Sequence, residues 1–120
     1  MRQIGMRTVG FSALVPMILL LTACHKNQPP VKDDNHVRAV AVSAIGASYL
    51  LKQPERSIEY YQQAIQIEPN YRDWKSQLAF AYWKTHRTPE AVPLWQELAK
   101  GNDELASQAK HWLVKVGAKP

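Results

Sequence analysis

The stretch SIEYYQQAIQIEP, residues 57–69, decides the fold of this chain. An apolar stripe at the spacing of one helix face runs through it, formed by Ile58, Tyr61, Ala64 and Ile65. Pro69 ends this helix, because proline cannot continue it. A shift of about 34 residues places Tyr61 on Trp95 and Ser57 on Ala91, so aromatic and small positions recur in the same order. The stretch is therefore one half of a helical unit that occurs twice.

The segments on either side carry further apolar stripes at helical spacing. They predict five helices, at residues 36–53, 54–68, 72–86, 88–100 and 103–116. Pro54 and Pro89 suit first-turn positions, where an amide hydrogen would have no partner, and Thr88 is expected to cap the fourth helix. Gly101 and Gly117 are expected terminators. The fold class predicted is all-α.

Residues 1–23 have the features of a signal peptide. Arg2 and Arg7 make a basic start, and the apolar run over residues 8–21 follows them. This run holds about 14 residues, fewer than the roughly 20 that a membrane-spanning helix needs. A cleaved signal is therefore favoured over a permanent membrane span.

The sequence Leu21-Thr22-Ala23-Cys24 resembles the bacterial lipobox, in which a branched apolar residue and two small residues precede a cysteine. The resemblance implies that Cys24 receives a covalent lipid, becomes the first residue of the mature chain and anchors it to a membrane. The alternative is a plain secretory signal with a chance cysteine. Cys24 is the only cysteine, so an internal disulfide is excluded.

Residues 24–35 are polar and contain a Pro-Pro pair, and this composition predicts an extended, flexible tether. His25 stands where lipoproteins retained in the inner membrane usually have Asp, so the resemblance favours the outer membrane, facing the periplasm. Loss of Arg2 and Arg7 with the signal lowers the formal charge from +5 to +3. The remaining basic residues are scattered, which argues against nucleic acid as a partner.

The two helix pairs resemble tetratricopeptide repeats, whose pattern has Leu-Gly and an aromatic residue on the first helix and Ala, an aromatic residue, Ala and Pro on the second. The matching residues of the first copy are Ile45, Gly46, Tyr49, Ser57, Tyr61, Ala64 and Pro69. Those of the second copy are Leu78, Ala79, Tyr82, Ala91, Trp95 and Leu98. The resemblance covers residues 36–100. Its departures are a shorter internal turn in the first copy, Ala79 in place of Gly, Asp103 in place of Pro, and Trp74 one position early.

This resemblance implies that residues 36–120 form a short right-handed helical solenoid of two tetratricopeptide-like pairs, with the last helix as a C-terminal cap. Small residues are expected where helices cross closely, and aromatic residues between successive pairs. The aromatic residues expected in the core are Tyr49, Tyr61, Tyr82, Trp95 and Trp112.

Neither catalysis nor a bound cofactor is predicted, apart from the lipid on Cys24. No two of the four histidines lie at i, i+3 or i, i+4, so no metal site is expected. The chain has no glycine-rich phosphate loop. Its paired carboxylates lie in the tether or at a helix start, where the helix dipole explains them. An enzyme is therefore not expected.

A partner-binding groove is the functional site that the sequence predicts. In tetratricopeptide repeats the first helix of each pair lines a concave groove, and the corresponding residues here are Val40, Ser43, Ala47, Leu50, Leu51, Asp73, Ser76, Phe80, Trp83 and Lys84. Phe80 and Trp83 lie opposite the apolar stripe of their helix, so they are either offered to a partner or packed against the fifth helix or the tether. The Lys and Asn residues that grip a chain terminus in one version of the family are absent at these positions.

Two functions follow from this pattern. The first is a membrane-anchored adaptor whose groove holds an apolar or amphipathic segment of an envelope protein, and proteins of this kind often assist assembly of secretion, pilus or cell-wall complexes. The second is a structural lipoprotein whose groove closes on another copy, which makes it a homo-oligomer without a separate peptide ligand.

Overall fold

The computed structural model describes residues 34–120, which lie in one compact unit. Five helices make up this part of the chain: α1 (Asp34–Tyr49), α2 (Pro54–Ile67), α3 (Arg72–Lys84), α4 (Thr88–Ala99) and α5 (Glu104–Lys115). The described residues contain no strand, and the prediction of an all-α fold is confirmed for them. The expected signal peptide and Cys24 lie outside the described residues.

Helices adjacent in sequence pack against each other along the whole described chain, and α3 also contacts α5. The short turns between successive helices allow only this antiparallel arrangement of neighbours. The contact between α3 and α5 brings the last helix onto the side of the second pair. This contact positions the site described below.

The helix bounds differ from the sequence-based ones chiefly at α1 and α3. α1 begins at Asp34, inside the stretch expected to be tether, and ends at Tyr49, whose carbonyl accepts the Gln53 amide (2.7 Å) as the chain turns. An acidic residue in the first turn suits the helix dipole. α3 ends at Lys84 because His86 adopts a left-handed conformation (φ 60°), which closes the helix instead of extending it.

The helix starts show which capping predictions were right. Pro54 occupies the first turn of α2, as expected. Thr88 is already helical and does not cap α4, whose preceding residue Arg87 makes no side-chain capping bond. At α5, the Asp103 side chain accepts a hydrogen bond from the Ala106 amide (3.0 Å). Gly117 follows α5 with φ 74°, a conformation that glycine adopts without a Cβ penalty.

The main core lies between α2, α3, α4 and α5. Tyr61, Tyr82 and Trp95 are buried there, as predicted, whereas Tyr49 and Trp112 are only half-buried. Ile45, which matches the Leu of the repeat pattern, is exposed rather than packed in the core. The buried residues of α1 are instead Ala39, Ser43 and Gly46.

Gly46 explains why α1 turns its small residues inward. A Cβ built on Gly46 would lie 3.1 Å from the Tyr60 Cβ and 3.2 Å from the Tyr61 Cε1, closer than side chains normally approach. Helix α2 therefore lies directly against the α1 backbone. A larger residue on this side would separate the two helix axes, so the bulky residues of α1 face outward.

A second, smaller core joins the start of α1 to the turn between α2 and α3. It contains Ala39, Ala64 and Trp74. The Glu68 carboxylate accepts hydrogen bonds from the Trp74 Nε1 (3.2 Å) and binds the His36 Nδ1 (3.0 Å). The His36 ring lies edge-on to Tyr71, with 5.1 Å between centroids. These contacts fix α1 to α3 across α2.

Candidate functional site

Four aromatic side chains from three helices meet on one side of the molecule. This aromatic cluster consists of Phe80 and Trp83 on α3, Trp95 on α4 and Trp112 on α5. Trp112 is its centre, with ring centroids 5.4 Å from Phe80, 4.8 Å from Trp83 and 5.5 Å from Trp95. Trp95 is fully buried, whereas the other three rings are half-buried. The cluster thus joins the core to the surface.

The rings are placed by helix periodicity and by the packing of α5. Phe80 and Trp83 follow each other at i, i+3 on α3, so their side chains lie one above the other, with centroids 5.6 Å apart. Trp112 stacks on Trp95 with an angle of 7° between the planes. Because Trp95 belongs to the core, it holds Trp112 in a fixed orientation beneath the α3 rings.

Next to the cluster lies an open cavity of about 350 Å³. Its lining comes from α2, α3, α5 and the turn between α1 and α2: Leu50, Tyr61, Ser76, Gln77, Phe80, Gln108 and Trp112. Apolar surface forms most of the lining, and a hydroxyl and two amides supply hydrogen-bonding groups. Sites of this size and composition are typical of ligand binding. The cavity is named the groove below.

Only some of the residues predicted to line a groove do so in the structure. Leu50, Ser76 and Phe80 line the groove, and Trp83 packs beside it against Trp112. Asp73 is half-buried and Lys84 is exposed, and neither lines the groove, although the Lys84 ammonium lies near the Phe80 ring. Of the predicted residues, the groove lining therefore contains only Leu50, Ser76 and Phe80.

The predicted residues from α1 do not join them. Ser43 is buried against the neighbouring helix, and its hydroxyl donates to the Val40 carbonyl (2.9 Å). Ala47 and Leu51 are exposed, and neither lines the groove, nor does Val40. Of the possibilities raised for Phe80 and Trp83, the structure shows packing against α5, and each ring also retains an exposed portion.

Sequence reasoning missed Tyr61, Gln77, Gln108 and Trp112 as groove residues. Tyr61 and Trp112 had been assigned to the core from their positions on apolar stripes. The size of Trp112 could have revealed it, because a tryptophan side chain on a terminal helix is large enough to extend from the core to the surface. The two glutamines carry no sequence signal, because exposed amides are common on helices.

Two lysines lie over the aromatic rings of the cluster. The Lys115 Nζ is 4.6 Å from the Trp112 centroid and 5.2 Å from that of Trp83, and the Lys84 Nζ is 5.9 Å from the Phe80 centroid. Neither ammonium forms an ion pair with a carboxylate of residues 34–120. The aromatic cluster therefore carries a positive rim whose charge is balanced only by ring faces and solvent.

Two tyrosines have a raised pKa, Tyr61 in the groove and Tyr71 at the start of α3, away from the groove. Burial raises the pKa of the Tyr61 hydroxyl, which lies at the back of the groove. The Asp73 carboxylate raises the pKa of Tyr71, chiefly by hydrogen bonding to the protonated hydroxyl and also by charge repulsion of the phenolate. At neutral pH both tyrosines are protonated. Tyr61 therefore adds no charge to the groove.

A larger cavity of about 500 Å³ lies elsewhere, between α2, α3 and α4. It is lined by Gln62, Ile65, Gln66, Lys75, Leu78 and Leu94 and contains no aromatic ring. Its one charged residue, Lys75, is paired with Glu97 (2.6 Å). The groove is lined by the large rings of Phe80 and Trp112, and rings of this kind usually dominate binding energy, so it is the better candidate.

The described residues hold no group of three His, Cys, Asp or Glu side chains placed to bind a metal ion. None of their helices has the length and apolar character that crossing a membrane requires. No protein-family model matches the chain, and no curated protein or solved structure matches it. The candidate site therefore rests on its own geometry.

Proposed function

We propose that this protein is a lipid-anchored adaptor of the bacterial cell envelope that binds a segment of another envelope protein in the groove. Its helical domain would be a short right-handed solenoid of two tetratricopeptide-like pairs, α1 with α2 and α3 with α4, capped by α5. Its role would be to help assemble a secretion, pilus or cell-wall complex. Such a role requires binding alone and no catalytic group.

The groove beside the aromatic cluster is the observation that carries this proposal. Phe80 and Trp112 offer large apolar surface at its wall, and Gln77 and Gln108 can bond a peptide backbone. Aromatic residues that are partly buried and held by neighbours are the usual anchors of protein interfaces, because little side-chain entropy is lost when they bind.

The partner segment is expected to be both apolar and acidic. An apolar side chain would cover the Phe80 and Trp112 rings, and a carboxylate would pair with Lys84 or Lys115, which have no acidic partner among the described residues. Such a segment can lie along the groove as an extended chain or as an amphipathic helix.

Anchoring rests on the lipobox resemblance around Cys24. Acylation at that cysteine would hold the domain at the membrane through a tether of about ten residues, which spans at most roughly 35 Å when extended. His25 after the lipidated position favours the outer membrane, with the domain in the periplasm. The groove would then search only the space near the membrane surface.

Crosslinking in cells tests the groove. A photoreactive residue placed at Gln77 should crosslink to one main partner protein, and the Phe80→Ala, Trp83→Ala variant should reduce that product at least about ten-fold, as expected for loss of two anchors. The matched control is Gln66, which lines the other cavity. Equal products from both positions, or no effect of the double variant in a folded protein, would refute the groove.

Charge reversal separates the role of the lysine rim from that of the rings. Lys84→Glu with Lys115→Glu should weaken capture of the same partner, whereas Lys110→Glu, an exposed lysine of α5 outside the cluster, should not. Capture that improved after reversal at Lys84 and Lys115 would mean that the segment is basic.

The anchor has its own test. Radioactive palmitate should label the full chain, and Cys24→Ser should abolish the label. Label that persisted in the Cys24→Ser variant would exclude the lipoprotein assignment while leaving the groove untouched.

A further inference from the structure

One side of α1 is apolar and faces solvent. Its large members Val37, Val40 and Ile45 are 55%, 43% and 44% exposed. Exposed small residues lie among them, so the complete α1 face consists of Val37, Val40, Ala41, Ala44, Ile45 and Ser48. These positions fall on one side of a helix, opposite the Ala39, Ser43 and Gly46 side that packs on α2. No charged side chain interrupts the face between Val37 and Ser48 except at its edge, where Arg38 lies.

The corresponding side of α3 is buried by neighbouring helices, in contrast to the exposed α1 face. Trp74, Leu78 and Ala81 occupy the same helical positions as Ala41, Ile45 and Ser48, and all three are buried. The clusters that bury them include residues of α2, the helix that precedes α3: Ala64 lies with Trp74, and Ile58 and Tyr61 lie with Leu78 and Ala81. Among the described residues, no helix precedes α1, so its equivalent side is left uncovered. The α1 face has the composition of a helix-packing surface.

The opposite end of the helical domain does not match this face. The exposed residues of α5 are polar apart from Val114: Glu104, Ser107, Gln108, Lys110, His111 and Lys115. A second copy stacked head to tail would therefore cover the apolar α1 face with charged groups. Self-association is favourable only when the α1 faces of two copies meet each other, which is an isologous contact with two-fold symmetry.

Charge at the two ends of α1 selects an antiparallel pairing. Asp34 begins the helix, and Lys52 follows its end. Both are exposed, and neither forms an ion pair within residues 34–120. Antiparallel α1 helices place Asp34 of one copy beside Lys52 of the other, twice by symmetry, and their dipoles oppose favourably. Ala41 and Ala44 then meet near the two-fold axis, where small residues permit close approach.

We infer that the protein forms an antiparallel homodimer through its α1 faces. This goes beyond the proposed function, because it uses neither the groove nor the lipid. A pair of 16-residue helices is about 24 Å long and covers less than the roughly 1,200 Å² of a standard interface. The dimer is therefore weak and exchanges rapidly, so crosslinking in the cell is a better assay than purification.

The test uses the full chain carrying two different epitope tags and expressed together, with a photoreactive residue at Ile45. Irradiation should give a product of twice the chain mass that bears both tags. The same photoreactive residue at Val114, which is also apolar and is more exposed but lies on α5, should give none. The Phe80→Ala, Trp83→Ala variant should leave the product unchanged, so failure of the groove and failure of the dimer are distinguishable.

Charge swapping then tests the direction of pairing. Asp34→Lys and Lys52→Glu should each reduce the doubly tagged product by about five-fold, because each places like charges together twice. The Asp34→Lys, Lys52→Glu double variant should restore it. A product that did not change with either single variant would overturn the antiparallel arrangement. Crosslinks from Ile45 to a different protein, to lipid or to residues 1–33 of the same chain would overturn the dimer.

Discussion

The Trp112 ring of α5 stacks on the Trp95 ring of α4, with 5.5 Å between centroids and planes 7° apart. Trp95 is buried in the main core, and Trp112 turns its other side toward Phe80 and Trp83. The last helix therefore completes both the core and the wall of the groove. Stability and binding are coupled at this residue.

Replacement of Trp112 should affect both properties. We expect Trp112→Ala to lower the free energy of unfolding by about 2 to 3 kcal/mol, less than the loss for a fully buried tryptophan because this ring is half-buried. Trp112→Phe, which keeps an aromatic ring, should lose under half as much. Urea unfolding followed by circular dichroism measures both. A Trp112→Ala variant as stable as the unmodified protein would show that α5 packs without this ring.

Gly46 should tolerate no branched side chain. A Cβ there meets the Tyr60 and Tyr61 side chains at 3.1 to 3.3 Å, so Gly46→Val must push α2 away from α1. We expect a loss of about 2 to 3 kcal/mol, because overpacking outweighs the roughly 0.5 kcal/mol of helix propensity that valine gains over glycine. Ala47→Val, at the exposed neighbouring position, is the control and should cost less than about 0.7 kcal/mol. Equal urea midpoints for the two variants would contradict the close contact.

The Glu68 carboxylate should contribute more to the free energy of unfolding than an ordinary surface carboxylate does. Glu68→Ala removes the acceptor of the Trp74 Nε1, and Trp74 is only 4% exposed. A buried indole N–H without its acceptor costs about 1 to 3 kcal/mol. Glu59→Ala on the exposed side of α2 should stay within about 0.5 kcal/mol of the unmodified protein. Thermal unfolding of the pair gives the comparison, and a harmless Glu68→Ala would mean that water replaces the carboxylate.

Asp103 should make the start of α5 sensitive to acid. The hydrogen bond from the Ala106 amide, aided by the Arg72 guanidinium, lowers the pKa of this carboxyl below its ordinary 3.8. The folded state thus favours the carboxylate, so its stabilisation is complete above pH 3.8 and is lost as pH falls through the lower, folded pKa. Asp103→Asn keeps a capping acceptor but loses the charge.

We expect Asp103→Asn to lower the urea midpoint at pH 6 and to approach the unmodified protein as the pH falls below 3.8. Glu59→Gln, which changes the same charge at an unpaired exposed site, controls for net charge. A difference between Asp103→Asn and the unmodified protein that persisted unchanged in acid would rule out the carboxylate as its source.

Substitution by glycine should have opposite effects on stability at two exposed histidines, His86 and His111. His86 has φ 60°, a conformation that costs other residues about 1 kcal/mol relative to glycine, so His86→Gly should stabilise the protein by about 0.5 to 1 kcal/mol. His111 lies within α5, where glycine should destabilise by about 0.5 kcal/mol. Melting temperatures that fell in both variants would show that the His86 side chain itself stabilises the turn.

The groove was predictable from the sequence in part. The i, i+3 spacing of Phe80 and Trp83 on the side opposite Trp74 and Leu78 places them together on the surface of α3. Periodicity within one helix cannot show which other helix covers them. Gln77, Gln108 and Trp112 belong to the site only because α5 packs beside α3. The α1 residues Ser43 and Ala47 do not belong to it, because of the way α1 is rotated about its own axis.

For residues 34–120, the sequence by itself determined the number of helices, their order and most of their ends, because apolar periodicity, proline at first turns and glycine at last turns act within a few residues. The sequence also determined which face of α2 is buried, since the apolar stripe of residues 57–69 supplies Ile58, Tyr61 and Ala64 to the core. Tertiary structure decided which side of α1 is buried. Stripes of small and of branched apolar residues both run along that helix, and only the close approach of the Tyr60 Cβ and the Tyr61 ring selects the small ones. The branched residues are thereby left on the surface, where they form the α1 face.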